Sequence, residues 1–261
     1  MRALRLANFR NYASLNLDLD EGLNFFSGPN GAGKTSILEA VSYLAVARSL
    51  RGSSDGEVVR WGESGFGIGG ELVEGATARR VVLRYSRSSG KEVAVAGETL
   101  STLAELVGLL RVAWFSPEDT WITKGAPAAR RKLLDITLCQ TDARYLSALA
   151  NYERARRQRN EALASWTPDE EADRLVDAWT DRLVEYGSRI VAARLSFLPV
   201  FGEAASRYHG LVVDEDALEV GYRCSLGDEV SAAAPDELSG GVAERAVADV
   251  FERALGELAS D

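Results

Sequence analysis

The sequence predicts an α/β protein: a lobe of strands and one helix, followed by a helical arm domain. Three observations carry this. Apolar residues recur at period two over much of residues 1–116, the spacing of half-buried strands. A glycine-rich loop, Gly28–Thr35, stands between a strand-like run and a helical pattern. From Pro117 onward the apolar period lengthens to that of helices. The expected divisions are residues 1–116 for the lobe, 117–208 for the arm, and 209–261 for a strand plus helix that return toward the lobe.

Taken in order, Leu4, Leu6 and Asn8, then Leu15, Leu17 and Leu19, mark two strands, and Leu23-Asn24-Phe25-Phe26 reads as a third that ends at Gly28. Ser36–Ser49 reads as a helix with Ile37, Leu38, Val41, Leu44 and Ala45 on one face. Gly67–Val73, Arg80–Tyr85, Glu92–Ala96 and Val112–Phe115 are further strand candidates, separated by glycines and by Ser88-Ser89-Gly90. In the arm, Pro127 suits a helix first turn, and Tyr145, Leu149 and Tyr152 share a face. Trp179, Leu183, Tyr186, Ile190, Ala193 and Phe197 form a heptad-like seam, as expected of two long helices packed side by side, with Pro199 expected to end or kink the second. Leu218–Cys224 is strand-like and Val242–Leu258 helical.

Composition excludes several classes. The 261 residues are 46% apolar and 26% charged, which is ordinary for a soluble globular chain and not for a collagenous or disordered one. A net charge of −9 rules out coating nucleic acid by bulk positive charge, so any such contact must be local. Residues 121–160 hold 9 basic and 3 acidic side chains, whereas 161–261 hold 8 and 22. Solvated helical faces would also produce this asymmetry. The two cysteines, Cys139 and Cys224, have no metal-type spacing, and His209 is the one histidine. Zinc sites and histidine-based triads are therefore not expected, and a reducing cytoplasm fits better than secretion. No apolar run is long enough for a membrane span, and the first residues lack a signal-peptide core.

Gly28-Pro29-Asn30-Gly31-Ala32-Gly33-Lys34-Thr35 fits the pattern G-x-x-x-x-G-K-[ST] throughout. A match arises by chance in a chain of this length about once in a hundred, and its place between strand and helix makes coincidence rarer still. Glycines let successive backbone N–H groups turn inward toward phosphate oxygens, and the following helix directs its positive end at the same anions. Lys34 is expected to reach the β- and γ-phosphates of ATP, and the Thr35 hydroxyl to ligate Mg²⁺. Hydrolysis needs more, namely a strand-end carboxylate for the metal and a group that positions water. Leu211-Val212-Val213-Asp214-Glu215 and Leu238-Ser239-Gly240-Gly241 imitate a Walker B strand and an ABC signature, but in the reverse of the order such enzymes use. Neither is expected to work as one. No catalytic residue is assigned, and this chain is expected to bind ATP without turning it over.

Leu6-Ala7-Asn8-Phe9-Arg10-Asn11-Tyr12, the loop Gly28–Thr35, Leu38-Glu39-Ala40, Tyr43-Leu44-Ala45, Arg48-Ser49-Leu50-Arg51, Ser116-Pro117-Glu118-Asp119, Arg130-Arg131, Leu134-Asp135 and Gln158-Arg159-Asn160 resemble the bacterial RecF recombination and repair proteins. The likeness runs from residue 1 to about 200. It implies a P-loop ABC-ATPase-like head lobe, akin to SMC and Rad50 heads, with an inserted α-helical arm. It also implies ATP and Mg²⁺ as cofactors, a weak DNA-dependent ATPase in the full-length family, and ATP-dependent homodimers. The implied partners are single-stranded and gapped or double-stranded DNA together with RecO and RecR, and the implied roles are recombinational repair, replication and SOS induction. Arg10 is placed near the phosphates by the same likeness. Family members continue with a signature, a Walker B and a last helix, so the sequence is expected to be the N-terminal part of such a protein, with the C-terminal part of the head missing. Another ABC-type head of the SMC kind, or a P-loop phosphotransferase, is the alternative reading. For DNA, Arg130, Arg131 and Lys132 are the expected contacts, with Arg79, Arg80, Arg84 and Arg87 as a competing patch.

Overall fold

The computed structural model describes residues 1–213, 218–223 and 247–250. The chain divides into two compact units, Met1–Leu133 with Cys139–Ala143, and Leu134–Leu138 with Arg144–Asp261.

The first unit is built on one six-stranded antiparallel sheet, ordered β2-β1-β3-β4-β5-β6. Its strands are β1 (Ala3–Phe9), β2 (Tyr12–Asp18), β3 (Gly65–Glu74), β4 (Thr77–Ser86), β5 (Gly90–Val95) and β6 (Glu98–Thr99). Helix α1 (Lys34–Val46) and the single turn α2 (Asp55–Val58) lie between β2 and β3 in the chain. Alternation decides which face is covered: Leu4 and Leu6 of β1, Phe66, Ile68 and Leu72 of β3, Val81 and Leu83 of β4, and Val93 of β5 all point inward, and Phe9 joins them where the left-handed Asn8, φ 51°, shifts the period by one. Ile37, Ala40, Tyr43 and Leu44 of α1 join the same core. Phe9, Tyr43 and Phe66 meet edge to face with ring centroids 5.4–5.8 Å apart, which ties β1, α1 and β3 together.

Two expected strands are not strands. Leu23–Phe26 and Val112–Phe115 belong to no ladder. Strand identity depends on a neighbour as much as on composition, and Leu23, Phe25 and Phe115 are 82%, 86% and 87% exposed. Val112 shows how its segment is satisfied instead. Its N–H donates to Gln140 Oε1 at 2.8 Å, and its carbonyl accepts from Gln140 Nε2 at 3.1 Å, so one side-chain amide takes the place of a neighbouring strand.

Helices follow, as the sequence indicates. After 3-10 turns at Leu103–Glu105 and Pro117–Thr120 come α3 (Trp121–Lys124), α4 (Pro127–Thr141), α5 (Ala143–Ala164) and α6 (Glu170–His209). In the second unit α5 and α6 run antiparallel: Tyr145 meets Arg194 at 3.0 Å near one end, and Arg159 Nε donates to Thr180 Oγ1 at 2.8 Å near the other. Asp169 starts α6 by accepting from the Glu171 and Ala172 N–H groups. Pro199 does not end α6, which continues through it for 40 residues in all. The buried stripe of α6 is broader than the expected seam. Leu183 and Ile190 are buried, but so are Val184, Gly187, Val191, Leu195 and Leu198, while Trp179, Tyr186, Ala193 and Phe197 are half-buried. Small residues at 187, 188 and 192 let that side of the helix sit deepest. Residues 218–223 are not a strand, and Cys224 lies outside the described residues, as does the expected helix Val242–Leu258 except for 247–250, which are helical.

Candidate functional site: the glycine loop and its cleft

The loop from Gly28 to Gly33 turns on backbone conformations that side chains resist. Gly28, Gly31 and Gly33 have φ of 150°, 84° and 96°. Gly33 carries a second constraint, since a Cβ there would lie 2.7 Å from the Asn11 side chain and 2.7 Å from a Tyr12 ring carbon. The turn between β1 and β2 is thus pressed against the loop. Asn11 Nδ2 also donates to the Gly31 carbonyl at 3.4 Å, and the Tyr12 hydroxyl donates to Ala32 at 3.2 Å. Helix α1 opens at Lys34 with no side-chain cap on its first N–H groups. The Lys34 ammonium donates to the Gly28 and Pro29 carbonyls at 2.8 and 2.9 Å, which turns it inward over the loop.

Beside the loop is a cleft of about 640 Å³, a volume suited to a small ligand. Asn30, Lys34 and Thr35 line it together with Arg10, Arg51 and Trp61. Arg10 enters from the end of β1 with a left-handed φ of 54°. Its Nε and Nη2 donate to the two oxygens of Glu39 at 2.9 and 2.7 Å. The Ser49 hydroxyl also donates to Glu39, and Arg51 stands 3.7 Å from it. This hydrogen bond with Glu39 raises the Arg10 pKa, against the opposing effect of burial. Three cationic side chains therefore line one cleft, two of them anchored by a single buried carboxylate.

The structure thus brings Gly28, Pro29, Asn30, Gly31, Ala32, Gly33, Lys34 and Thr35 into one turn, with Arg10 in the same cleft. Glu39, Arg51 and Trp61 are additions. Glu39 had no periodic signal, because the apolar face expected for Ser36–Ser49 runs through Ile37, Leu38, Val41, Leu44 and Ala45, and only the structure puts Glu39 on the buried side of α1. Trp61 lies outside any periodic segment and had none. Among the described residues no group of three or more His, Cys, Asp and Glu side chains converges as a metal site. Thr35 offers one hard oxygen at the cleft, which fits a Mg²⁺ ion that takes its other ligands from phosphates and water. Of the nearby carboxylates, Glu39 is occupied by Arg10, and Glu57 is held by the Ser54 N–H and hydroxyl, which keep its pKa low. Asp214 and Ser239 lie outside the described residues.

The expected DNA residues do not form one free basic face. Arg130 donates to the carbonyls of Ile122 and Gly125, both at 3.1 Å, and Lys132 donates to that of Leu50 at 3.1 Å. Arg131 is exposed. Farther along, Arg156 pairs with Glu153 at 2.8 Å. On β4, Arg79, Arg80 and Arg84 are exposed, with Arg80 and Arg84 on one face by alternation.

Comparison with known proteins fixes the class first. Residues 3–167 match the family model described as an AAA domain, a P-loop nucleotide-binding class. The chain is 38% identical to the DNA replication and repair protein RecF of Salinibacter ruber, covering 98% of this chain and 60% of that protein. It is 37% identical to that of Chloroflexus aurantiacus, covering 98% and 69%. For Chlorobium limicola the identity is 34%, with coverage of 90% and 65%. A solved structure of the recombination mediator protein RecF-ATPrS in the RecFOR pathway superposes with a TM-score of 0.87 at 27% identity, over 100% of this chain and 68% of that one. The corresponding RecF-ATP structure gives 0.84 at 28% identity. The chain belongs to the RecF family of DNA replication and repair proteins. It spans 60–69% of the length of these three relatives. Among the described residues no helix is long and apolar enough to cross a membrane.

Proposed function

We propose that the cleft binds ATP with Mg²⁺, and that the chain is the nucleotide-binding part of a RecF-type factor acting at gapped DNA in recombinational repair, replication and SOS induction. The observation that carries this reading is the inward-turned Lys34 above a loop of three left-handed glycines, in a cleft that also receives Arg10 and Arg51. Such a cleft presents backbone N–H groups, a helix N-terminus and cationic side chains to one polyanion. Thr35 would hold the metal, which supplies charge neutralisation at the phosphates. RecF proteins whose structures are described as ATP complexes support ATP as the ligand.

In the whole protein, ATP would drive homodimerisation, and DNA would stimulate slow hydrolysis. Single-stranded, gapped and double-stranded DNA are the proposed substrates, RecO and RecR the proposed protein partners, and the cytoplasm the proposed location. The test of the nucleotide reading is titration with a fluorescent ATP analogue in Mg²⁺. Lys34→Ala should remove most binding while leaving the circular dichroism spectrum intact. Equal affinity of the two folded proteins overturns it.

A further inference from the structure

Trp61 lines the cleft with an aromatic ring, a group that phosphate chemistry does not use. Its side chain is 98% exposed, and it lines the cleft alongside Lys34 and Thr35. The backbone beneath it is fixed at several points. The Arg60 N–H donates to the Asn8 carbonyl at 2.8 Å, the Arg10 N–H to Val58 at 2.7 Å, and Phe9 bridges to Val59. The turn closes when Glu63 N–H donates to Arg60 at 3.0 Å, with Gly62 at φ 85°. That same corner, Asn8–Tyr12, holds the glycine loop through Asn11 and Tyr12. A large flat ring is therefore free on both faces yet carried on backbone tied to the phosphate loop. Indole is the best stacking surface among side chains, and leaving it in water has a cost that a ring partner removes.

We propose that Trp61 is the platform on which the nucleobase stacks, so that the site takes a nucleoside triphosphate and not triphosphate alone. The inference rests on the nucleotide reading above. The cations Lys34, Arg10 and Arg51 supply the polyanion end, and Trp61 is the one aromatic ring lining the cleft among the described residues. Stacking recognises any base by its π-face, so discrimination among bases is weak while discrimination against a ligand with no base is strong.

The experiment measures, by calorimetry in Mg²⁺, the affinity of the full chain for ATP, GTP and inorganic triphosphate. Trp61→Ala should weaken ATP and GTP by on the order of tenfold and leave triphosphate unchanged, and Trp61→Phe should recover most of the loss. Lys34→Ala should weaken all three ligands. If Lys34→Ala weakens none, the nucleotide reading falls and the Trp61 inference falls with it. If Lys34→Ala weakens all three while Trp61→Ala shifts ATP no more than triphosphate, only the Trp61 inference is overturned. A change in self-association on Trp61→Ala, measured by sedimentation with base affinity unaltered, also overturns it and assigns the ring to a protein contact.

Discussion

The Arg10 guanidinium grips Glu39 through two parallel hydrogen bonds, Nε to Oε2 at 2.9 Å and Nη2 to Oε1 at 2.7 Å, although the Glu39 side chain has no exposed surface. A carboxylate so placed needs such hydrogen bonds to offset the hydration it has lost. The arrangement fixes a cation at the rim of the cleft by an anion that solvent cannot reach.

Removing that anion should be costly. Glu39→Ala leaves Arg10 half-buried beside an uncompensated gap and should lower stability by about 3 kcal/mol, whereas Arg10→Ala also strands the carboxylate and should cost at least as much. Urea midpoints of the two variants and the double variant measure it. Near-additive losses in the double variant would show that the pair is not coupled.

Gly31 and Gly33 share a left-handed backbone but not a neighbourhood. A Cβ on Gly31 meets nothing within 4 Å, so Gly31→Ala should cost only the backbone strain, about 1 kcal/mol. Gly33→Ala adds the 2.7 Å collisions with Asn11 and Tyr12 and should cost about 2–3 kcal/mol and displace the loop. Equal melting temperatures for the two variants would refute the role given to the β1–β2 turn.

Tyr43 and Tyr145 should weaken the fold at high pH. Burial raises both phenols, the Tyr43 hydroxyl donating to Asp55 at 3.1 Å and Tyr145 to Asp135, while Arg194 opposes the shift at Tyr145. Unfolded tyrosines ionise near pH 10 and these two above it. The stabilisation is complete below pH 10 and is lost as pH rises further, because there the unfolded state binds fewer protons. Between pH 10 and 12, Tyr43→Phe should show a slope of stability on pH shallower than wild type by roughly 1 kcal/mol per pH unit. Identical slopes in denaturation series would contradict this.

Arg130 and Arg131 are adjacent yet should behave differently in DNA binding. Arg130→Glu abandons the carbonyls of Ile122 and Gly125 and should lower the melting temperature. Arg131→Glu should leave melting unchanged, weaken DNA of every sequence in the full-length protein, and reduce the salt slope by about one unit. An unaltered slope with ATP binding retained removes Arg131 from the DNA surface.

Period-two segments gave β1 through β5 away because each has one wet face, and the glycine loop was legible because its glycines, Lys34 and Thr35 stand at the fixed spacing that a phosphate-binding turn requires. Leu23–Phe26 and Val112–Phe115 misread for the converse reason: their composition is that of strands, but pairing is decided elsewhere in the chain. Pro199 does not end α6. A proline removes one hydrogen bond from a helix, and the buried side chains from Leu183 to Leu198 outweigh that loss. In the site, the anion-binding chemistry was readable from spacing. The support beneath it was not, since Glu39, Ser49 and Arg51 meet only when α1 folds back on β1.

On α5, alanines at 148, 155 and 162 are buried at a seven-residue interval, flanked on the same face by Tyr145 and Arg159. Methyl-sized contacts have no rotamers to adjust, so the helix cannot accommodate bending by repacking side chains. Sliding against α6 would have to break the Tyr145–Arg194 and Arg159–Thr180 bonds together, at opposite ends of the pair. Over its 22 residues, about 33 Å, α5 is therefore a strut and not a hinge: load applied at one end arrives at the other with little lost to internal deformation.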